Sequence, residues 1–249
     1  MILKKNILII FVLLFTYSLA HSHNIQQKKF IQEKKFYEYC KQELKENKFD
    51  NAISHLENMK KKNISNFYSD KIQINLIYAY YKIENFNMAQ KNINEFIKLY
   101  PKNINIDYVF YIKSLINISL DKNIFLKFLN IKNYKSDPIY AKKAFFELKN
   151  FLYNYPNSIY IINVKQDLFD LKERLSNYEF EILKYYFNRK EYIAVINRGE
   201  EILKKYPETL SAREVLNYMR QSFIELKMFN TAKKISKVIL LNKAEKFFY

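Results

Sequence analysis

The sequence predicts an all-α fold of stacked helix hairpins, and three observations carry that prediction. First, the 249 residues include one Gly, four Pro and no Trp, while 49% are hydrophobic, with 22 Tyr and 21 Phe. Tight turns between strands want Gly at positive φ, so its near absence argues against a sandwich or barrel. Second, three prolines close amphipathic segments in one shared context: Leu99-Tyr100-Pro101, Asn154-Tyr155-Pro156 and Lys205-Tyr206-Pro207. Proline disfavours helix in the residue before it, so each marks a helix end. Third, twelve residues upstream of each proline stands a small apolar residue, Ala89, Ala144 or Val195, where two helices can approach closely.

That combination is the second-helix half of a tetratricopeptide (TPR) repeat. Ala52 with Leu56, and Ala232 with Ser236, mark two further second helices without the proline, which gives about five repeats. The spacings of 37, 55, 51 and 37 residues exceed the nominal 34, so the two long intervals carry insertions.

Taken in order, residues 1–20 read as a secretory signal. Lys4 and Lys5 precede an unbroken apolar run from Ile7 to Phe15, and Ser18 and Ala20 suit cleavage before His21. The run falls short of the ~20 residues needed to span a bilayer. Residues 21–30 are expected to form an extended arm. Helix pairs follow at about 31–47/50–61, 69–83/87–99, 106–119/138–154, 158–188/191–205 and 209–227/230–242. Residues 31–157 would form an N-terminal module of three repeats, and 158–249 a C-terminal module of two. Expected caps are Asp50, Asn87, Asp137 before Pro138, and Asn157-Ser158. In the longest helix, Val164, Leu168, Leu171, Leu175, Tyr178, Ile182 and Tyr185 trace a buried seam. The insertion at 121–136 is expected to be a partly ordered lid. Stacked hairpins of this kind expose a long groove.

Chemistry is mostly excluded. One glycine cannot build a phosphate cradle. One cysteine forms no internal disulfide, and with three histidines there is no Cys/His zinc pattern. Cys40 reads as a small buried apolar residue and His55 as a surface or packing histidine. Nucleophile candidates lack a base, and the pairs Glu200-Glu201 and Asp167/Asp170 read as solvated helix faces. No catalytic residue, cofactor or metal site is expected. The net charge of +17 would suggest nucleic acid. Yet arginine occurs only at 174, 189, 198, 213 and 220, and the lysines are spread evenly in the manner of AT-rich codon drift. Base-reading proteins favour Arg, so no nucleic-acid partner is expected. Tyr80 should pack within its repeat. Tyr81, Asp107, Tyr108 and Tyr111 are placed on first helices facing the groove, an aromatic lining suited to extended peptides.

Five segments carry a resemblance: Ile77-Tyr78-Ala79-Tyr80-Tyr81, Asn105-Ile106-Asp107-Tyr108-Val109, Tyr155-Pro156-Asn157-Ser158, Leu171-Lys172-Glu173-Arg174-Leu175-Ser176-Asn177-Tyr178-Glu179 and Ala194-Val195-Ile196-Asn197-Arg198. Over roughly residues 30 to 242 the chain resembles the BamD family, the five-repeat TPR lipoproteins of the outer-membrane β-barrel assembly machinery. The resemblance implies a periplasmic, non-enzymatic scaffold associated with the membrane through its partners. Its C-terminal repeats would dock on the last POTRA domain of the barrel-forming subunit, and its N-terminal repeats would receive C-terminal signals of unfolded barrel proteins. Accessory lipoproteins are further partners that the family brings. Arg198 stands where the family has an arginine in the POTRA-contacting region, with Asn197 and Glu201 beside it. Two departures stand out. The family lipobox Leu-Ala-Gly-Cys is here Leu19-Ala20-His21-Ser22, so Ser22 replaces the acylated cysteine, and of the family's first-repeat loop only the end of Asn63-Ile64-Ser65-Asn66-Phe67-Tyr68-Ser69 survives. Two rivals remain: another exported TPR adaptor in cell-envelope maintenance, and a basic helical-repeat nucleic-acid binder with steeply salt-dependent affinity.

Overall fold

The computed structural model describes residues 26–62, 68–127 and 137–244, and these are helical with no strand among them. The expected signal segment, residues 21–25 of the arm and residues 128–136 of the insertion lie outside the described residues. Helix α1 covers residues 26–45, and α2 to α4 are Phe49–Lys61, Ser69–Lys82 and Phe86–Leu99. Then come α5 (Ile106–Lys127), α6 (Ile139–Asn154), α7 (Ile161–Asn188), α8 (Tyr192–Lys205), α9 (Leu210–Glu225) and α10 (Phe229–Ala244). Two expectations need correction. Residues 26–30 are the first turns of α1 and not extended, and α5 runs on to Lys127 through the start of the expected lid.

Among the described residues, four hairpin turns close in one repeated way. At Asn47, Glu84, Lys190 and Lys227 φ lies between 58° and 61°, the left-handed region. At each, that residue's N–H donates to the carbonyl three residues back, as Glu84 does to Tyr81 (3.1 Å). The following N–H donates five back, as Asn85 does to Tyr80 (2.9 Å). This is the Schellman motif, which satisfies the carbonyls left free at a helix end. Between hairpins the chain turns differently. Tyr100, Tyr155 and Tyr206 end their helices at φ between −129° and −135°, and each tyrosine carbonyl accepts from the N–H three residues on, across the proline. Proline at the second position of such a turn presets its φ. The caps fall elsewhere than expected: Asn85 Oδ1 accepts from the Met88 N–H (3.3 Å) and Thr209 Oγ1 from the Ala212 N–H (3.3 Å). The Schellman turn delivers the chain straight into the next helix, so Asp50 and Asn87 lie within first turns.

Two compact units divide at Val109 and Phe110, and the 157/158 boundary expected from the sequence falls inside the second. In the first unit, Ala52, Leu56, Met59, Leu76, Ile77, Ala79, Ala89, Ile93 and Phe96 are fully buried. Tyr80 packs among them as expected, its hydroxyl 3.1 Å from Glu57 Oε1, and burial pushes its pKa up to about 12. The second unit holds two core clusters. Tyr111, Ala141, Ala144, Leu148, Phe151, Val164, Leu168, Leu171 and Leu175 form one. Phe180, Leu183, Val195, Ile202, Ala212, Val215, Met219, Phe223 and Ala232 form the other. Helix α7 serves both. Its seam holds through Leu175 and then moves to Phe180 and Leu183, so Tyr185 is exposed and Tyr178 and Ile182 are only half-buried. The reason is a change of neighbours along the helix, since α7 packs on α6 and also on α8 and α9. All five repeat-marking positions, Ala52, Ala89, Ala144, Val195 and Ala232, are buried as the repeat requires.

Candidate partner-binding surfaces

In the second unit, the segment Leu171 to Glu179 is a set of internal clamps. Arg174 Nε donates to Asp121 Oδ2 on α5 (3.1 Å), and both side chains are largely buried. Glu173 Oε1 accepts the Leu210 N–H (3.3 Å) at the start of α9, and Ser211 Oγ donates to Asn177 Oδ1 (2.5 Å). Lys172 reaches Glu208 (2.9 Å). Glu179 Oε2 accepts from Arg198 Nη1 (2.8 Å), which joins α7 to α8. Sequence reasoning gave none of these polar residues a structural role, because their partners lie up to 53 residues away.

Arg198 is therefore not a lone cation. Its side chain remains 42% exposed, so the guanidinium keeps donors for a second acceptor while Glu179 fixes its direction. Asn197, directly before Arg198, and Glu201, one turn after it, are exposed, and Glu201 pairs with Lys205 (2.5 Å). That pairing holds the Glu201 carboxyl below its usual range. Ile193, four residues before Asn197, is 66% exposed. The outward face of α8 is thus an apolar residue rimmed by an amide, a carboxylate and an oriented arginine. Gly199 faces the other way: a Cβ there would lie 2.5 Å from Met219 Sδ and 3.0 Å from Val215 Cγ1. Near the chain end, Leu240 and Leu241 on α10 and Phe229 at its start are mostly exposed. Exposed apolar groups gathered on one element mark interaction surface.

The four residues assigned to a groove divide. Tyr111 belongs to the core of the second unit and not to a groove. It is 8% exposed, stacks on Tyr160 at 5.0 Å between centroids, and its hydroxyl lies 3.4 Å from Asp167 Oδ2. Asp167, read as part of a solvated face, is half-buried, and burial raises its pKa. Tyr81, Asp107 and Tyr108 are half-buried in the first unit. Tyr81 lies 6.3 Å from the Phe86 ring, and Asp107 Oδ1 accepts the Tyr108 N–H (2.7 Å).

The first unit also holds a cavity of about 500 Å³ between α1 and α2, lined by Lys29, Gln32, Glu33, Phe36, Asn58, Met59 and Lys62. Phe36 and Met59 supply an apolar wall, and Lys29 and Lys62 supply cations. Glu33 is 7% exposed, and its Oε1 has no hydrogen-bond partner among the described residues. This cavity is not legible in the sequence, whose pattern starts α1 at residue 31 and leaves Lys29 in an arm.

Residues 30–238 match the YfiO family, described as outer membrane lipoprotein. The chain is 53% identical over 243 residues to the outer membrane protein assembly factor BamD of Buchnera aphidicola subsp. Acyrthosiphon pisum, covering 97% of this chain and 99% of that protein. It is 32% identical over 191 residues to the protein of the same name in Vibrio cholerae, covering 77% and 79%. For the protein of that name in Pasteurella multocida, identity is 29% over 199 residues, covering 80% and 76%.

Proposed function

The chain belongs to the YfiO family of outer membrane lipoproteins, and on that ground we propose that it is a periplasmic scaffold of outer-membrane β-barrel protein assembly, working by binding alone. In this reading the second unit holds the POTRA region of the barrel-forming subunit, and the first unit receives extended segments of unfolded barrel proteins. The observation that carries the first half is the outward face of α8. An exposed Ile193, the free donors of an Arg198 already aligned by Glu179, and the flanking Asn197 and Glu201 match the apolar centre and polar rim of a protein interface. Pre-alignment matters because an ordered side chain has less rotamer freedom to lose on docking. For the second half, the α1–α2 cavity offers an apolar wall of Phe36 and Met59 to an extended segment's side chain, with Lys29 paired to Glu33 (4.0 Å) and Lys62 beside it. Tyr81, Asp107 and Tyr108 offer further half-exposed aromatic and polar contacts. Accessory lipoproteins are further candidate partners.

The test is co-purification of the tagged protein with a POTRA-containing barrel subunit, followed by titration. Ile193→Glu and Arg198→Ala should each weaken binding about 10-fold or more, as truncation of a central interface residue does. Both sites are partly exposed, so circular dichroism should show an unchanged helix content. Failure to retain the barrel subunit, or equal affinity in both variants, overturns the reading.

A further inference from the structure

The Schellman turn at Asn47 folds α2 back on α1 and brings together three side chains that the sequence holds apart. Cys40 and Glu43 stand three residues apart on one face of α1, and His55 comes from α2. Their ligand atoms, Sγ, a carboxylate oxygen and an imidazole nitrogen, all lie within 4.8 Å of one another, and His55 Nδ1 is already 2.8 Å from Glu43 Oε2. Cys40 is fully buried and Glu43 3% exposed, whereas the His55 side chain is 35% exposed and gives the cluster a path to solvent. The rings of Phe36 and Tyr39 flank His55 at 5.5 and 5.6 Å. Lys41, between Cys40 and Glu43 in the sequence, pairs with Glu38 (3.1 Å), and Lys48 with Glu46 (2.7 Å).

We propose that Cys40, Glu43 and His55 form a three-ligand site for a zinc-class divalent metal ion, with its fourth position open to water beside His55. Thiolate, imidazole and carboxylate are the donor set that zinc takes in tetrahedral sites, at about 2.0–2.3 Å from the metal. Ligand atoms so bound stand roughly 3.3–3.8 Å apart, so Cys40 moves inward and the His55–Glu43 hydrogen bond opens to admit the ion. The half-exposed imidazole on α2 has room for that swing. On binding, the Cys40 thiol gives its proton to solvent and its sulfur lone pair to the metal, and no oxidation state changes. Thiolate and carboxylate together cancel the 2+ charge, so the filled site is neutral, as a buried location demands. The ion would tie α1 to α2 within the first hairpin.

The experiment uses the purified full chain after chelator treatment, titrated with Co2+ as a spectroscopic probe and then with Zn2+. The expected result is one Co2+ per chain, with a sulfur-to-cobalt charge-transfer band and d–d bands of tetrahedral intensity, all erased by Zn2+. Cys40→Ser should lose the charge-transfer band, and His55→Gln should weaken Co2+ binding by at least 10-fold. Saturating Zn2+ should raise the melting temperature of the wild type and leave that of Cys40→Ser unmoved. If Cys40→Ser fails to fold, the half-exposed His55→Gln variant and the wild-type spectrum carry the test. Absence of a sulfur band in the wild type, or full Co2+ affinity in His55→Gln, overturns the proposal.

Discussion

At the scale of the residue, the one glycine shows how closely two helices meet. Alanine at position 199 would gain about 1 kcal/mol in helix propensity, but its Cβ would press on Met219 and on the stiff side chain of Val215. Overpacking of this kind outweighs propensity, so Gly199→Ala should destabilise the protein by about 1–2 kcal/mol in urea denaturation. That α9 lies against Gly199 is a tertiary fact, which the sequence does not announce. Tyr111 was misread for a related reason. A helix pattern shows which residues share a face but not how many neighbours cover it, and Tyr111 on α5 meets both Phe151 of α6 and Asp167 of α7. Arg198, Asn197 and Glu201 came only from the family resemblance, whereas the inward side of α8 was legible, because the repeat buries its small residue Val195. The Cys40–Glu43–His55 cluster was not, since a search for cysteines and histidines at zinc spacing passes over a carboxylate ligand.

At the scale of the element, helix limits were legible to within a few residues wherever a Pro or a small residue stood at its repeat position. They failed at the start of α1 and the end of α5, where the chain carries no proline or glycine to stop a helix. Helix α7 is held as much by its polar face as by its seam. Arg174→Ala would leave Asp121 largely buried without its ion-pair partner, so a loss of about 3 kcal/mol is expected from thermal or urea unfolding. The Arg198–Glu179 pair is more exposed, and a double-mutant cycle should find a coupling of about 0.5–1 kcal/mol. The Schellman corners give a prediction of opposite sign. Glu84 and Lys190 hold left-handed φ angles that cost a side-chain-bearing residue roughly 1 kcal/mol, so Glu84→Gly and Lys190→Gly should each raise stability by several tenths of a kcal/mol or more.

At the scale of the whole molecule, composition and architecture answer different questions. The +17 charge sits on a helical-repeat chain that belongs to an outer-membrane lipoprotein family, which makes drift in lysine codons the better account of it. Among the described residues no helix is long and apolar enough to cross a membrane. With Ser22 in the lipobox position, the protein isolated from its envelope should begin at His21 and carry no acyl chain, which intact mass spectrometry checks directly; an acylated product would refute it. The four Schellman corners explain how such a chain keeps its shape while its composition wanders. Each corner is closed by main-chain groups, so Asn, Glu and two Lys fill a place where glycine would cost least. A repeat whose bends are written in the backbone can exchange the side chains at those bends under mutational pressure, losing a little stability each time and never its register.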